Sequence, residues 1–202
     1  PEAASGSRAR TNQFLGMARV PDTLSAVALA YLSLPSFVFL LGWVEPAFGI
    51  PATLSVMLAL VSVIRGMPAQ KDSSSTGAVL LLGVLALVWG TLAGGSHFAY
   101  ANKDWITRDA VYADLVLTAW PPSYGWHDGE ALILRTAMGF FLPPALGAKL
   151  FGIEWAPTLL LLWTSLGAFL FLVLLPLPKR LGLGLLAMTL VSVLFSGMDV
   201  LG

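Results

Sequence analysis

The chain contains no cysteine. Disulfides and thiolate metal sites are therefore excluded within it. Charge is scarce as well: 11% of its 202 residues are Asp, Glu, Lys or Arg, against about 25% in an ordinary soluble domain. Eleven basic and eleven acidic residues cancel to a net charge of zero. Nothing in that balance favours nucleic acid, and no long basic run marks a peripheral surface-bound protein. Only two histidines occur, His97 and His127, without the H-x-x-H spacing of a zinc site, so no metal ligand set is assigned. A cleavable signal is not visible, because the first apolar run is too long and lacks an A-x-A-like end. Pro1 in place of Met, and a last residue Gly202 inside an apolar run, read as a portion of a longer protein.

What the chain does have is apolar length. Hydrophobic residues make up 57% of it, and a bilayer core takes about 20 mostly apolar residues per helical crossing. The runs are Leu24 to Trp43, interrupted by Pro35, then Phe48 to Ile64 and Gly77 to Gly94. After a long polar stretch over residues 95–130 come Ala131 to Phe151, Ala156 to Leu177 and Leu181 to Leu201. Hydropathy alone counts six crossings.

The basic residues count five. Arg8, Arg10 and Arg19 place the N-terminus in the cytoplasm, and Arg65 with Lys71 places the next inner loop there. Lys179 and Arg180 return to the cytoplasm only if the segment 131–151 does not cross. Arg135, the Pro143-Pro144 pair and Lys149 divide that segment into pieces too short to span, which predicts a non-crossing interfacial or re-entrant helix pair. The expected fold is all-α and polytopic. A cytoplasmic tail (1–22) leads to three transmembrane helices (23–94), an extracytoplasmic loop with interfacial helices (95–155), and two further transmembrane helices (156–202).

The outer loop concentrates the polar chemistry. It carries five of the eleven acids, both histidines and three of the seven tryptophans. Asp104 to Val116 has helical character: Asp104 and Arg108 share a face, and Trp105, Tyr112 and Val116 form a stripe suited to lying on lipid. The WPPSYGWHDG stretch reads as a rigid aromatic turn of the kind that settles at a membrane interface. The ordinary reading of these features is a solvated pair worth a few tenths of a kcal/mol and a set of interface anchors. Asp199 stands apart, because an ionisable group at the membrane centre costs about 2.5–3.5 kcal/mol and so requires a partner or water. The five-crossing plan brings it to the outer face, beside the polar loop.

The stretch LAGGSHFAYANKDWITRDAVYADLVLTAWPPSY, with MGFFLPPALGAKLFG and FSGMDVLG after it, resembles a group of bacterial integral membrane proteins over residues 90–202. The wider plan resembles the GT-C superfamily of polyprenyl-phosphate-sugar glycosyltransferases. In that superfamily an outer loop with a catalytic acid and an interface helix precedes a K-L-F-G-like turn, a crossing helix, a basic cytoplasmic turn and a returning helix. The resemblance implies sugar transfer at the outer face of the bacterial cytoplasmic membrane. Asp104, with Asp109 as alternative, would be the catalytic carboxylate, and Asp199 a further acid of the same cavity. Arg108 and Arg135 would hold the phosphate, because a guanidinium forks onto phosphate oxygens. Trp105 and His97 complete the expected substrate-binding set. The carboxylate would either activate an acceptor hydroxyl or orient a divalent cation. The chain departs from the pattern in lacking an Asp-Glu pair, since Trp105 follows Asp104. The implied partners are membrane lipid and a polyprenyl-phosphate-linked sugar. The alternative is a non-catalytic subunit of a larger membrane complex, with a transporter fragment ranked lower because no paired repeats are visible.

Overall fold

A computed structural model describes residues 23–67, 75–99, 103–125, 131–177 and 181–196. The chain is mostly helical. Helix α1 spans Thr23–Trp43, α2 Pro46–Gly66, α3 Thr76–Leu92 and α4 Asp104–Leu117. A ribbon of two short strands, β1 (Ser123–Gly125) and β2 (Ala131–Ile133), precedes α5 (Leu142–Phe151). A single 3-10 turn, Ile153–Trp155, leads into α6 (Ala156–Leu174), and α7 covers Leu183–Ser196. Three helical stretches of 21, 21 and 22 residues, α1, α2 and α6 with its preceding turn, are long and apolar enough to cross a membrane. α3, at 17 residues, and Leu183–Leu194 of α7 are shorter apolar helices.

Local chemistry explains these boundaries. Pro46 opens α2 in the first turn, where a missing N–H costs nothing. Ser75 caps α3 by accepting a hydrogen bond from the Ala78 amide at 3.2 Å. Pro35 lies inside α1, where it removes one ladder hydrogen bond without ending a helix held by its neighbours. Gly152 ends α5 with φ of 114°, a conformation that side chains rarely adopt.

The most extensive helix contact is between α3 and α6. Ala78, Leu82, Ala86 and Gly90 recur every fourth residue along the buried face of α3. A Cβ on Gly90 would lie 3.3 Å from the Ser165 backbone nitrogen, whereas Gly83 faces Phe169 and Gly77 faces Leu181. The two helices therefore run antiparallel. Small residues at such a seam permit the close backbone approach by which helices associate in lipid, where dispersion replaces the hydrophobic effect.

A second core lies at the other end of this pair. Trp105, Tyr112, Leu115 and Val116 of α4 pack with Phe141, Leu142, Ala145 and Ala148 of α5, with Ala156 and Leu160 of α6, and with Val38 of α1. The Tyr112 hydroxyl donates to the Ala156 carbonyl at 2.9 Å, fixing α4 over the start of α6. Trp43, at the end of α1, stacks obliquely on Trp120 with ring centroids 4.9 Å apart. The ends of α1 and α3 and the start of α6 thus converge under one polar cap.

The fold is mostly helical, as expected, with one small ribbon among the described residues, where Ser123, Tyr124 and Gly125 pair antiparallel with Ile133, Leu132 and Ala131. One expectation is corrected. The segment 131–151 is not a helix pair but one strand, a loop and one helix. Arg135, Thr136 and Gly139 lie in the loop, and helix begins only at Leu142, with the proline pair in its first turn where proline is tolerated. α5 has 10 residues, about 15 Å of rise.

Candidate functional site

The polar cap rests on α4. Trp105 is buried against the turn after α3, where its indole N–H donates to the Ala93 carbonyl at 3.1 Å. That position needs a glycine opposite, because a Cβ on Gly95 would fall 2.8 Å from Cζ2 of the indole. Three residues on, Arg108 sits over the same ring, with Cζ 5.2 Å from its centroid. A guanidinium placed over an indole keeps its hydrogen-bonding edge available to an anion.

Beneath these groups lies a cavity of about 510 Å³ lined by Ala93, Gly95, Trp105, Thr107, Arg108 and Val111 on one side. Thr136, Ala137, Phe140, Phe141 and Thr164 close the other. A second cavity of about 360 Å³ shares Ala93, Phe140 and Thr164 with it, and descends between α1, α3 and α6 past Tyr31, Trp89 and Phe171. The two cavities adjoin at these shared residues, with Thr107 and Arg108 lining the upper one and mostly apolar helix residues lining the lower. The size of each falls within the ~300–1,000 Å³ of small-molecule sites, which are mostly apolar with few placed polar groups.

The expected site residues divide among several places. Trp105 and Arg108 line the upper cavity. Arg135 is exposed in the loop directly before the lining residues Thr136 and Ala137. Asp104 occupies the first turn of α4, where the helix dipole favours an anion, and is not among the lining residues. Asp109 is turned away from the cavity toward His97, whose Nε2 lies 2.8 Å from its carboxylate Oδ2. His97 itself has φ of 57°, in the left-handed region that histidine enters more readily than most residues. Asp199 lies outside the described residues, as do His127, Lys179 and Arg180. The structure thus brings Trp105 with Arg108, and His97 with Asp109, but among the described residues it does not gather the acids into one cluster. Among the described residues no group of three His, Cys, Asp or Glu side chains converges.

Sequence reading missed Phe140, Thr136, Thr164 and Tyr31, which shape the cavities. Hydropathy does not distinguish such residues from others in apolar runs. It also missed Lys149, which reaches across from α5 to the end of α4 and donates to the Val116 carbonyl at 3.1 Å and to the Thr118 carbonyl. Partial desolvation in that position lowers its pKa below the usual lysine value. The Tyr124 hydroxyl donates to the Asp114 carboxylate. That bond, before any other cause, raises the phenol's pKa. Burial does the same for Tyr112. No known protein family, curated protein or solved structure matches the chain.

Proposed function

We propose that the chain belongs to a multi-pass, GT-C-like transferase of the bacterial cytoplasmic membrane, with five crossings and a cytoplasmic N-terminus. Its substrate is a sugar carried on polyprenyl phosphate. The observation that supports this reading is the pair of adjoining, mostly apolar cavities with Arg108 lining the upper one. An isoprenoid tail fits the lower cavity and the phosphate meets the guanidinium. In the reaction, an acceptor hydroxyl attacks the anomeric carbon while the bond from that carbon to the phosphate oxygen breaks. Asp104 takes the hydroxyl proton, and the polyprenyl phosphate leaves as an anion against Arg108. In the full protein, Asp104→Asn is expected to abolish transfer while retaining photo-crosslinking of a polyprenyl phosphate probe. Arg108→Gln is expected to weaken crosslinking. Full transfer by Asp104→Asn would remove it from the role, and undiminished crosslinking of Arg108→Gln would remove the phosphate site.

A second reading, a non-catalytic subunit of a larger membrane complex, is favoured by one observation. No carboxylate lines the described cavities, and Asp109 is engaged with His97. On that reading acid-to-amide substitutions leave the activity of the complex unchanged, and the chain co-purifies with large partners.

A further inference from the structure

A third cavity lies across the loop from the first. It has a volume of about 510 Å³ and is lined by Pro35, Ser36, Phe39 and Leu40 of α1, by Met138 and Gly139 of the loop, and by Leu142 of α5. Thr136 and Ala137 line it too, and these two residues also wall the upper cavity beneath Arg108. The loop between β2 and α5 is thus a partition with a chain-sized space on each face. The partition is anchored by backbone bonds from the Leu134 amide to the Pro122 carbonyl and from the Met138 amide to the Thr136 carbonyl.

We infer that this third cavity holds one hydrocarbon chain of an anionic phospholipid, separately from whatever occupies the cavities under Arg108. The chemistry of its rim and wall selects that occupant. Phe39 and Leu40 offer an apolar wall on α1, a helix apolar enough to cross a membrane, and Met138 of the loop and Leu142 of α5 add to it, so hydrocarbon is the solvent it meets. Arg135, immediately before the shared wall, is exposed and has no ion-pair partner among the described residues. A head-group phosphate at that height meets a guanidinium able to fork onto it. Thr136, next to Arg135 on the cavity wall, adds a hydroxyl group near the glycerol region. The inference does not rest on sugar transfer. It needs only a lipid environment and the two-sided partition.

The test uses the whole chain in nanodiscs containing a diazirine-tailed phosphatidylglycerol, with the phosphatidylcholine counterpart as comparison. Crosslinked residues are mapped by peptide mass spectrometry. Phe39, Leu40 and Met138 are expected to label severalfold more than Leu58, an exposed residue of α2 that reports ordinary surrounding lipid. Arg135→Gln, an exposed change that spares the core, is expected to erase the preference for phosphatidylglycerol over phosphatidylcholine. Ser36→Phe fills this cavity alone, and is expected to abolish labelling at Met138 while leaving labelling at Phe141 in the upper cavity intact. Labelling at Met138 no greater than at Leu58 overturns the site. Equal labelling by the two lipids in the unaltered chain overturns the anionic selection. Parallel loss at Met138 and Phe141 in Ser36→Phe overturns the independence of the two spaces. None of these outcomes depends on a polyprenyl phosphate or on transfer, so they separate from the outcomes that test the proposed activity.

Discussion

Lys149 of α5 donates from Nζ to the carbonyl oxygen of Val116, 3.1 Å away in the last turn of α4. The same ammonium reaches the Thr118 carbonyl and lies 5.4 Å from the centroid of Trp120. The last carbonyls of a helix have no partner within it, and a cation there also meets the negative end of the dipole. One residue therefore ends α4, ties it to α5 and supports the aromatic turn that carries Trp120. Lys149→Met keeps the aliphatic stem and removes the charge. It is expected to cost about 0.3–1 kcal/mol, the range for an exposed cation at a helix C-terminus, read as a lowered thermal midpoint in detergent. Lys149→Arg is expected to recover most of the loss. Equal midpoints for Met and Lys would show that the cap contributes nothing.

The close approach of Gly95 to Trp105 gives a sharper test. A methyl at position 95 would sit 2.8 and 2.9 Å from ring atoms of an indole held in place by the Ala93 carbonyl. Overpacking of this kind costs about 1–3 kcal/mol. Gly95→Ala is expected to lower the thermal midpoint and to reduce ligand retention in the upper cavity, whose wall the ring forms. Trp105→Phe removes the ring atoms that clash. The double variant should therefore be more stable than the sum of the single changes predicts, the signature of two residues in contact. Strict additivity would mean that the ring moves aside without cost.

Tyr124 and Asp114 supply a pH dependence with a definite sign. The hydrogen bond to Asp114 raises the phenol's pKa in the folded chain above its ordinary value of 10.0. A raised pKa means that the folded state holds the proton more tightly. The stabilisation is complete below pH 10 and is lost as pH rises through the folded value. The thermal midpoint of the native chain should exceed that of Tyr124→Phe at pH 8, and the gap should close above pH 10. A gap that widens with alkalinity would reverse the assignment. Asp114→Asn should show a smaller gap at pH 8, because the amide is a weaker acceptor than the carboxylate.

These contacts also show where the sequence was readable. The run Phe48 to Ile64 became Pro46–Gly66, and Gly77 to Gly94 became Thr76–Leu92, because helix in lipid follows apolar length and the punctuation of Pro, Ser and Gly. Asp104 to Val116 became Asp104–Leu117 for a related reason: its apolar stripe recurs at helical spacing. The ribbon was hidden, since three residues per strand leave no alternation to detect and pairing joins residues on either side of a turn. The cavity was hidden for a different reason. Phe140 and Phe141 are adjacent and alike in sequence and both line the upper cavity, yet Phe141 is also buried in the core under α4, while Phe140 is 41% exposed and borders the lower cavity as well. The acids were visible as residue types but not as neighbours. The pairing of Asp109 with His97, 12 positions away, depends on the left-handed turn at His97 itself.

Phe140 carries the last prediction, because it borders both the upper cavity and the one that descends between α1, α3 and α6. A ligand chain that uses both spaces must pass this ring. Phe140→Trp enlarges the ring at the junction and leaves Arg108 and Thr107 untouched, so the head-group region is preserved. Binding of undecaprenyl phosphate should then fall toward that of farnesyl phosphate, while farnesyl phosphate binding stays near its value in the native chain. Phe140→Ala opens the junction and should preserve or widen the preference for the longer chain. Binding of both phosphates by the purified chain in nanodiscs, measured by native mass spectrometry, separates the cases. An equal fall for both chain lengths would mean that Phe140 holds the head-group region in shape and that the tail leaves by another route. An unchanged preference in both variants would mean that the descending cavity takes no part in binding, and the site under Arg108 would reduce to the upper cavity.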